Sequence, residues 1–512
     1  MQTYAKQIYE QYSTMSASEL VDYYTAHPEL IARLPKSERR RQGKSCIAAS
    51  QENELPDTEE AMSVESVESG LLRTEASANQ IRTIGLYYHS LRMGGVERVI
   101  SLLIPVWLQA GYKVVLMTQE EPSSSDFDIP EETVRVVLPL DTSGLENRLA
   151  KFEEALLLHE IDLFIYHEWA DYKMFPEMLL VKCHHIPFIL YTHSLYSGLY
   201  GYLNDYTLHS HMIFSLCDKV LALSGVSHQF YKLCGCDSLL IQNPIEDKLK
   251  RVIAECSFDS CHKVVWIARF AEEKRPLDAI RVMKYVCEKV PDATLSMVGS
   301  GSKELMAQAQ ALCRELGIEK QLVFYGQQKD VSRFYEEAAV VLMTSEYEGY
   351  PNVIIEAKAY GKILAMYDLP YLTMIKSGLG LCTAKMGDVK GLAEEVVLLL
   401  KDVSLRRKLE NESEKSFSEF RDYSQAELWN GIIREMEQPD PRVFSGESGV
   451  RQTLSAGSAF ASNDGALMIS LLLNDVNLAV KRAMKSVESY PDYKIGHALL
   501  KIPRMIKHLL KL

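Results

Sequence analysis

The stretch AAVVLMTSEYEGYPNVIIEA, residues 338–357, decides how this chain is expected to fold. It opens with an apolar, β-branched run that is typical of a buried strand. Gly349 and Pro351 then make a continuous helix from Glu348 onward improbable, because proline disfavours helical geometry at the residue before it. The stretch therefore predicts a strand, a loop that carries Glu348, and a helix that carries Glu356.

Two carboxylates thus bracket a strand-to-helix loop. We expect Asn352 to cap the helix and Glu356 to lie in its first turn. A carboxylate near a helix N-terminus is ordinarily only favourable dipole chemistry. Glu348 and Glu356 together could instead accept hydrogen bonds from neutral hydroxyls, as on a sugar or ribose, close to phosphate held by the helix N–H groups.

Short apolar runs that alternate with helical patterns continue on both sides of this stretch. They begin at residue 81 and recur to about residue 247, and the pattern restarts over 248–422. Runs of this kind indicate parallel sheets covered on both faces. The sequence therefore predicts an α/β fold with two Rossmann-like, doubly wound parallel-sheet domains that face each other across a cleft. Ligands in such folds bind beyond the carboxyl ends of the strands.

The two ends of the chain differ from this middle part. Residues 1–35 predict a helical arm, in which Ser16 and Glu19 have capping-box spacing. The polar, acidic residues 36–80 bury too little apolar surface to fold, so they predict a linker. One further helix is expected over 423–437.

The last part of the sequence predicts a flexible segment over 438–465 and helices over 466–512. Residues 494–512 combine basic and apolar side chains at helical spacing without any acid. Two interpretations stay open for this basic end. It is either a terminal helix packed on the body or an interfacial helix attracted to anionic lipid.

Composition excludes several classes of protein. A chain of 512 residues suggests roughly two to four domains, and a 47% hydrophobic content favours a globular enzyme. The net charge of −13 argues against nucleic-acid binding, which needs a basic footprint. No N-terminal apolar signal segment and no run of about 20 apolar residues is present, so we expect a cytoplasmic protein, at most attached to a membrane surface.

The cysteines give no sign of a metal centre. The ten cysteines include no CxxC pair. The nearest approach to a cluster is Cys234, Cys236, Cys256 and Cys261, whose offsets do not fit a zinc site. We expect reduced, mostly buried thiols and no metal.

Two further motifs follow strand-like runs of the first domain. Gly94 and Gly95 close a strand and open a helix, which would let the backbone approach a ligand. A tight strand-to-helix connection without a ligand is the alternative. His193 ends a later run. It is either a structural hydrogen-bonding residue or a group at the edge of the cleft.

In the second domain, Arg269 ends a strand and Lys274 follows just before a proline and a helix. Two cations at this place could neutralise a diphosphate, Arg269 through paired hydrogen bonds and Lys274 as a mobile charge. A surface salt bridge of Arg269 with Glu272 or Glu273 is the alternative.

In their order along residues 81–437, these stretches resemble the retaining glycosyltransferases of the GT-B fold, in the large group called family 4. The resemblance rests on the Gly-Gly-x-Glu-Arg loop at 94–98, His193, the Arg269 to Lys274 stretch, and the Glu-x7-Glu pair of Glu348 and Glu356. It also includes a helix around Trp429 that crosses back to the first domain.

The resemblance implies a role for each motif. Arg269 and Lys274 would bind the donor diphosphate, Glu348 the sugar hydroxyls and Glu356 the ribose. His193 would touch the transferred sugar near the reacting carbon, so the expected catalytic residues are Glu348, His193, Arg269 and Lys274. The expected donor-binding residues are Gly94, Gly95, Arg269, Lys274, Tyr325, Gly326, Glu348, Gly349, Tyr350, Pro351, Asn352, Val353 and Glu356, with Tyr325 and Gly326 near the base.

The implied function is transfer of a hexose-type sugar, with retention, from a nucleoside-diphosphate sugar to a polysaccharide or lipid-linked oligosaccharide in surface glycan biosynthesis. The resemblance implies no metal and no other cofactor. Asp126 and Asp128 match a metal-binding motif of another glycosyltransferase architecture, but they lie in a serine-rich loop and we discount them. The expected location is the cytoplasm, with peripheral contact at the inner membrane face through 494–512.

Two alternatives remain. One is a non-catalytic carbohydrate-binding or scaffold subunit with the same fold, and the other is a phosphorylase or epimerase. One departure from the family concerns the sugar: Lys362, Ile363 and Leu364 stand where the family often has proline and small residues. The loop from Asp368 to Tyr371 is therefore expected to be specialised.

Overall fold

A computed structural model describes residues 4–34, 80–92, 94–138, 144–168, 171, 173–201, 204–252, 259–372 and 380–438. Nearly all of the expected linker over 36–80 and of the segments expected over 438–465 and 466–512 lies outside the described residues, as does the basic end at 494–512.

The first domain is built on a parallel sheet of seven strands in the order β3-β2-β1-β4-β5-β6-β7. Its strands are β1 Thr83–Tyr87, β2 Lys113–Thr118, β3 Val134–Val137, β4 Leu163–Tyr166, β5 Phe188–Tyr191, β6 Lys219–Ala222 and β7 Ser238–Leu240. Every residue of β1, β4, β5 and β6 is buried. Their apolar side chains point to both faces, and each face is covered by helices, as expected for a parallel sheet.

The second domain repeats this design with six parallel strands in the order β10-β9-β8-β11-β12-β13. The strands are β8 Lys263–Ile267, β9 Thr294–Val298, β10 Leu322–Gly326, β11 Val340–Met343, β12 Ile363–Tyr367 and β13 Leu381–Ala384. In both sheets the strand order reverses beside the first strand, between β1 and β4 and between β8 and β11. A ligand crevice forms at such a reversal. The predicted pair of parallel-sheet α/β domains is confirmed.

Helices cover both sheets and extend beyond them. They are α1 Tyr4–Thr14, α2 Ala17–Ala26, α3 Gly95–Gln109, α4 Leu145–Leu158, α5 Met174–Cys183, α6 Asp205–Leu208, α7 Ser210–Phe214, α8 Gly225–Leu233, α9 Asp247–Lys250, α10 Pro276–Lys289, α11 Lys303–Leu316, α12 Ser332–Glu337, α13 Asn352–Ala359, α14 Val389–Lys401, α15 Val403–Arg421 and α16 Gln425–Met436. Short 3₁₀ helices occupy Pro28–Leu30, Tyr196–Gly201 and Glu272–Lys274. Within the described ranges, no helix is both long and apolar enough to cross a membrane.

The N-terminal helices pack on the first domain. Ala5, Ile8, Leu20 and Tyr24 are buried in its core. The predicted capping box is confirmed: the N–H of Glu19 donates to the Ser16 hydroxyl, and the N–H of Ser16 donates to the Glu19 carboxylate at 2.8 Å.

The two domains share a continuous hydrophobic cluster. It contains residues of β1 and α3 from the first domain together with residues of β11 and α13 from the second. Helix α16 leaves the second domain and returns to the first, where Trp429 contacts Trp107 edge to face with ring centroids 4.9 Å apart. This packing fixes the two domains against each other and so defines the space between the two sets of strand ends.

Candidate functional site

Lys274 and Glu348 meet where the order of the second sheet reverses. Lys274 lies in the turn after β8 and Glu348 in the loop after β11, and the Lys274 Nζ is 2.7 and 2.6 Å from the two Glu348 carboxylate oxygens. The side chains are only 17% and 9% exposed. Lys274 and Glu348 therefore form an ion pair with each other at the ends of neighbouring strands.

Buried hydrogen bonds hold the Lys274 backbone in place. The Thr344 hydroxyl donates to the Lys274 carbonyl at 2.8 Å, and the same hydroxyl accepts from the indole N–H of Trp266 at 3.0 Å. The end of β8 and the end of β11 are therefore tied together through Thr344, so the two loops that carry the ion pair keep a fixed separation.

Arg269 forms a surface salt bridge, which is the alternative that the sequence leaves open. Its guanidinium is 3.2 Å from the Glu273 carboxylate, and its side chain is 72% exposed. An exposed pair of this kind contributes little to stability, typically ~0–1 kcal/mol. Arg269 lies near enough to Glu97 and Tyr88 of the first domain to favour their charged forms. The guanidinium therefore stands at the opening between the domains.

Loop residues 349–351 connect Glu348 to α13 and touch the first domain. A Cβ on Gly349 would lie 2.1 Å from the carbonyl oxygen of His193, so only glycine fits at this approach. Tyr350 is buried in the shared core, and burial raises the pKa of its phenol. The Glu348 N–H donates to the hydroxyl of Tyr371 at 2.8 Å. The loop with the departure from the family pattern thus contacts the candidate site directly.

Two expectations about α13 were wrong. Pro351, in an extended conformation, is the residue before the helix, and no side chain caps it. Asn352 is already the first helical residue, so its side chain does not reach the following N–H groups. Glu356 is the fifth residue of the helix and lies in the second turn. No side-chain cap bond therefore reaches the first N–H groups of α13.

His193 lies opposite this loop and pairs with a second histidine. Its ring stacks on Tyr191 with centroids 4.3 Å apart, and its Nε2 is 2.9 Å from Nδ1 of His167. Part of its surface is accessible, yet the surrounding groups strip water from the ring, which lowers the pKa of His193 to about 3. Burial also lowers the pKa of His167.

Both imidazoles are therefore neutral at physiological pH, and one donates to the other. His167, which directly follows β4, was not among the residues predicted from the sequence.

Glu356 is held by residues that the sequence did not indicate as its partners. The Tyr335 hydroxyl donates to its Oε2 at 2.6 Å, and Arg98 of α3 is paired with its Oε1. Its side chain is 7% exposed. The Glu356 carboxylate thus lies at the domain boundary and not in open solvent.

The Gly94 and Gly95 turn opens α3, with Gly94 before the helix and Gly95 its first residue. A Cβ on Gly94 would meet the Glu97 carboxylate, whereas nothing lies within 4 Å of that position on Gly95. Glu97 itself is buried, which raises the pKa of its carboxyl. The predicted close approach of backbone to ligand is sterically open at Gly95.

Tyr325 and Gly326 are the last two residues of β10. The Tyr325 ring packs against Phe334 with centroids 4.8 Å apart and has the Arg333 guanidinium 5.6 Å from its centroid. Gly326 ends β10 with a φ of +65°, and its carbonyl accepts from the N–H of Gly299 at 2.9 Å.

Within the described part of the chain, no three His, Cys, Asp or Glu side chains come together as a metal site would require. Cys234 and Cys236 pack on the first core, and the Cys261 thiol donates to the Glu337 carbonyl. Cys256 lies outside the described residues. Asp126, of the discounted Asp-x-Asp motif, pairs with Arg135 at 2.6 Å.

Two family models match the chain in succession. The model described as Glycosyltransferase Family 4 matches residues 93–248, and the model described as Glycosyl transferases group 1 matches residues 258–416. The two matches together cover more than half of the chain and correspond to the two domains.

Known proteins are similar to this chain. An uncharacterized glycosyltransferase of Haemophilus influenzae is 24% identical over 369 residues, which are 69% of this chain and 100% of that protein. The Campylobacter jejuni enzyme named GalNAc-α-(1→4)-GalNAc-α-(1→3)-diNAcBac-PP-undecaprenol α-1,4-N-acetyl-D-galactosaminyltransferase is 23% identical over 226 residues, 44% of this chain and 62% of that protein.

Solved structures share the fold. Anabaena HepE, determined with UDP and glucose, has a TM-score of 0.58 at 15% identity, over 69% of this chain and 98% of that chain. TarM of S. aureus, determined with fondaparinux, α-GlcNAc-glycerol and UDP, has a TM-score of 0.58 at 12% identity, over 70% and 100% of the two chains.

Proposed function

Since this chain is a GT-B glycosyltransferase with family 4-like features, we propose that it transfers a hexose-type sugar from a nucleoside diphosphate to a glycan acceptor with retention at the anomeric carbon. The observation that carries the proposal is the junction of β8 and β11. There a lysine, a carboxylate and an uncapped helix N-terminus converge beneath the His193 loop of the other domain.

The donor in this proposal is a nucleoside-diphosphate sugar. Lys274, with Arg269 at the cleft opening, faces the diphosphate together with the N–H groups that begin α13. Glu348 accepts hydrogen bonds from the sugar hydroxyls and Glu356 from the ribose. The support is the geometry above and the UDP found in the structures of HepE and TarM.

The chemistry explains why these groups belong together. Breaking the glycosidic bond builds positive charge on the sugar ring and negative charge on the departing phosphate. Cations and helix N–H groups that are already oriented toward the phosphate stabilise that charge without reorganising. A neutral His193 can hydrogen-bond to the transferred sugar without adding a positive charge beside the ring. No metal is part of the proposal.

The acceptor in this proposal is a growing surface polysaccharide or a lipid-linked oligosaccharide. The names of relatives support this class, because the Campylobacter enzyme is named for a lipid-linked acceptor and a Bacillus subtilis relative is named poly(glycerol-phosphate) α-glucosyltransferase. We place the enzyme in the cytoplasm, with residues 494–512 holding it at the inner membrane face through their basic side chains. Unchanged membrane partition after deletion of 494–512 would overturn that location.

The test is a donor panel. Purified protein is mixed with nucleoside diphosphates and their sugars, thermal stabilisation identifies the donor, and release of nucleoside diphosphate is then followed with and without glycan acceptors. The anomeric configuration of the product is read by NMR. Acceptor-dependent release and a retained configuration are expected. Binding of sugars without any release would favour the scaffold alternative, and release that requires inorganic phosphate would favour a phosphorylase.

A further inference from the structure

Arg98 lies between two carboxylates at the domain boundary. Its Nη1 is 2.5 Å from Oε1 of Glu356, and its Nη2 is 2.5 Å from Oε1 of Glu246. The Arg98 side chain is 20% exposed and that of Glu246 is 22% exposed. Arg98 belongs to α3 of the first domain, Glu246 to the connection just before α9, and Glu356 to α13 of the second. One guanidinium therefore joins three separate parts of the chain.

The second oxygen of Glu356 is also engaged. Its Oε2 accepts from the Tyr335 hydroxyl at 2.6 Å, and Tyr335 is fully buried. With one partner on each oxygen, the plane of the carboxylate is fixed. A carboxylate has about four lone-pair positions, so each oxygen keeps one for a further donor.

The surroundings show where that further donor would lie. A small cavity at this junction is lined by Arg98, Leu102, Glu246, Asn352 and Glu356. Asn352 begins α13, and the helix N-terminus beside it suits phosphate. Glu356, which keeps two acceptor positions, thus lines a cavity next to the start of a helix, and in the proposed function a ribose between base and diphosphate would lie here.

We propose that Arg98 is a positioning residue for the donor nucleotide. It holds the Glu356 carboxylate, from the opposite domain, in the orientation that accepts hydrogen bonds from the ribose hydroxyls. The inference rests on the proposed function, because it assigns ribose to Glu356. Arg98 does not touch the ribose in this account; it acts through Glu356. Lysine is a poor substitute, since only the planar fork of arginine reaches both carboxylates in one geometry.

The simpler alternative is a brace that only holds the domains together. Loss of Arg98 would then weaken the binding of every donor equally, because a contact that only holds the domains together does not depend on which hydroxyls the donor carries. Loss of a positioning residue would weaken ribose recognition alone. Donors that lack a ribose hydroxyl separate the two roles.

The experiment uses the full chain and the nucleotide sugar that the wild type turns over fastest, alongside its 2′-deoxyribose and 3′-deoxyribose counterparts. For Arg98→Met we expect KM for the ribose donor to rise about tenfold or more with a smaller change in kcat, since misplacement of a binding group is costly. For at least one deoxy donor the ratio of variant to wild-type KM should approach one. Arg98→Lys should recover part of the loss.

Arg407→Met is the matched control, because Arg407 pairs with Asp259 at 2.6 Å on the exposed surface. It should leave all three KM values unchanged. Glu246→Gln removes the charge of the other partner of Arg98, together with the pairing of Glu246 with Lys248, and leaves the Arg98–Glu356 contact in place, so it should raise the ribose KM less than Arg98→Met. If Arg98→Met does not fold, Arg98→Lys provides the same comparison of donors.

Equal losses with ribose and both deoxy donors, or no loss with any donor, would overturn the positioning role. Absence of turnover by the wild type with every donor would overturn the proposed function and this inference with it.

Discussion

The ammonium group of Lys274 contacts both carboxylate oxygens of Glu348, at 2.7 and 2.6 Å, although the two residues are 74 positions apart. The contact joins the ends of β8 and β11, the adjacent strands at which the order of the second sheet reverses. The pair is largely shielded from water, so removing one charge would leave the other buried and unpaired unless a charged ligand replaced it. A phosphate that approaches Lys274 would share it with Glu348.

The close contact between Gly349 and His193 makes Gly349→Ala a test of the closed arrangement. The added Cβ would lie 2.1 Å from the His193 carbonyl oxygen, so the loop or the first domain must move. We expect kcat/KM to fall about 10²-fold or more, because small displacements of catalytic groups are costly. The control is Gly431→Ala within α16, where nothing lies within 4 Å. A Gly349→Ala enzyme with wild-type kcat/KM would show that activity does not require this contact.

The His167–His193 pair predicts that stability depends on pH. The pKa of His193 is about 3 in the folded protein against an ordinary 6.5, because burial disfavours the imidazolium. The unfolded chain therefore binds a proton more readily than the folded protein. The contribution of His193 to the free energy of unfolding is present above pH 6.5 and is lost as the pH falls toward 3. Urea unfolding of the wild type and His193→Asn at pH 7.5 and 5.0 measures this. The loss on acidification should be smaller in the variant, and equal losses would contradict the assignment.

The burial of Lys358 in α13 predicts that an apolar residue at this position would stabilise the protein. Its side chain is fully buried, its Nζ is 2.8 Å from the Ser416 hydroxyl, and burial lowers its pKa to about 8. Ser416 keeps a second hydrogen bond, to the Ser413 carbonyl. Lys358→Met should therefore raise the free energy of unfolding at pH 7 by about 2 kcal/mol.

The pH dependence checks the cause of this effect. Between pH 8 and 10.5 the unfolded chain keeps the Lys358 proton that the folded protein has released, so the wild type gains stability as the pH rises through this window. The advantage of Lys358→Met should shrink accordingly in urea unfolding at pH 7 and 9.5. A variant less stable than the wild type at pH 7 would contradict the prediction.

The sheets could be predicted because their signal is local. Runs such as β11 and β12 are continuous and apolar, and each is buried at every residue. The meeting of Lys274 and Glu348 also follows from the sequence, since both were predicted at the carboxyl ends of strands, and those ends share one edge of a sheet.

The partners of Glu356 could not be predicted in this way. Arg98 reaches it from the other domain, and no local pattern encodes the relative placement of two domains. The prediction that Asn352 caps α13 was wrong for a local reason. Pro351 takes the extended conformation that precedes a helix, so Asn352 begins the helix itself. His167 was missed because a single histidine after a strand carries no spacing pattern, and its meaning depends on His193 from the neighbouring strand.

The most direct test of the central claim is turnover of the nucleotide-sugar donor by the wild type, Glu348→Gln and Lys274→Ala. A matched control is Lys263→Ala, because Lys263 and Glu337 form an exposed ion pair of 2.8 Å elsewhere in the same domain. We predict a loss of about 10²-fold or more in both site variants, since each removes an oriented charge, and near wild-type turnover in the control. Equal turnover by all four proteins would contradict the account.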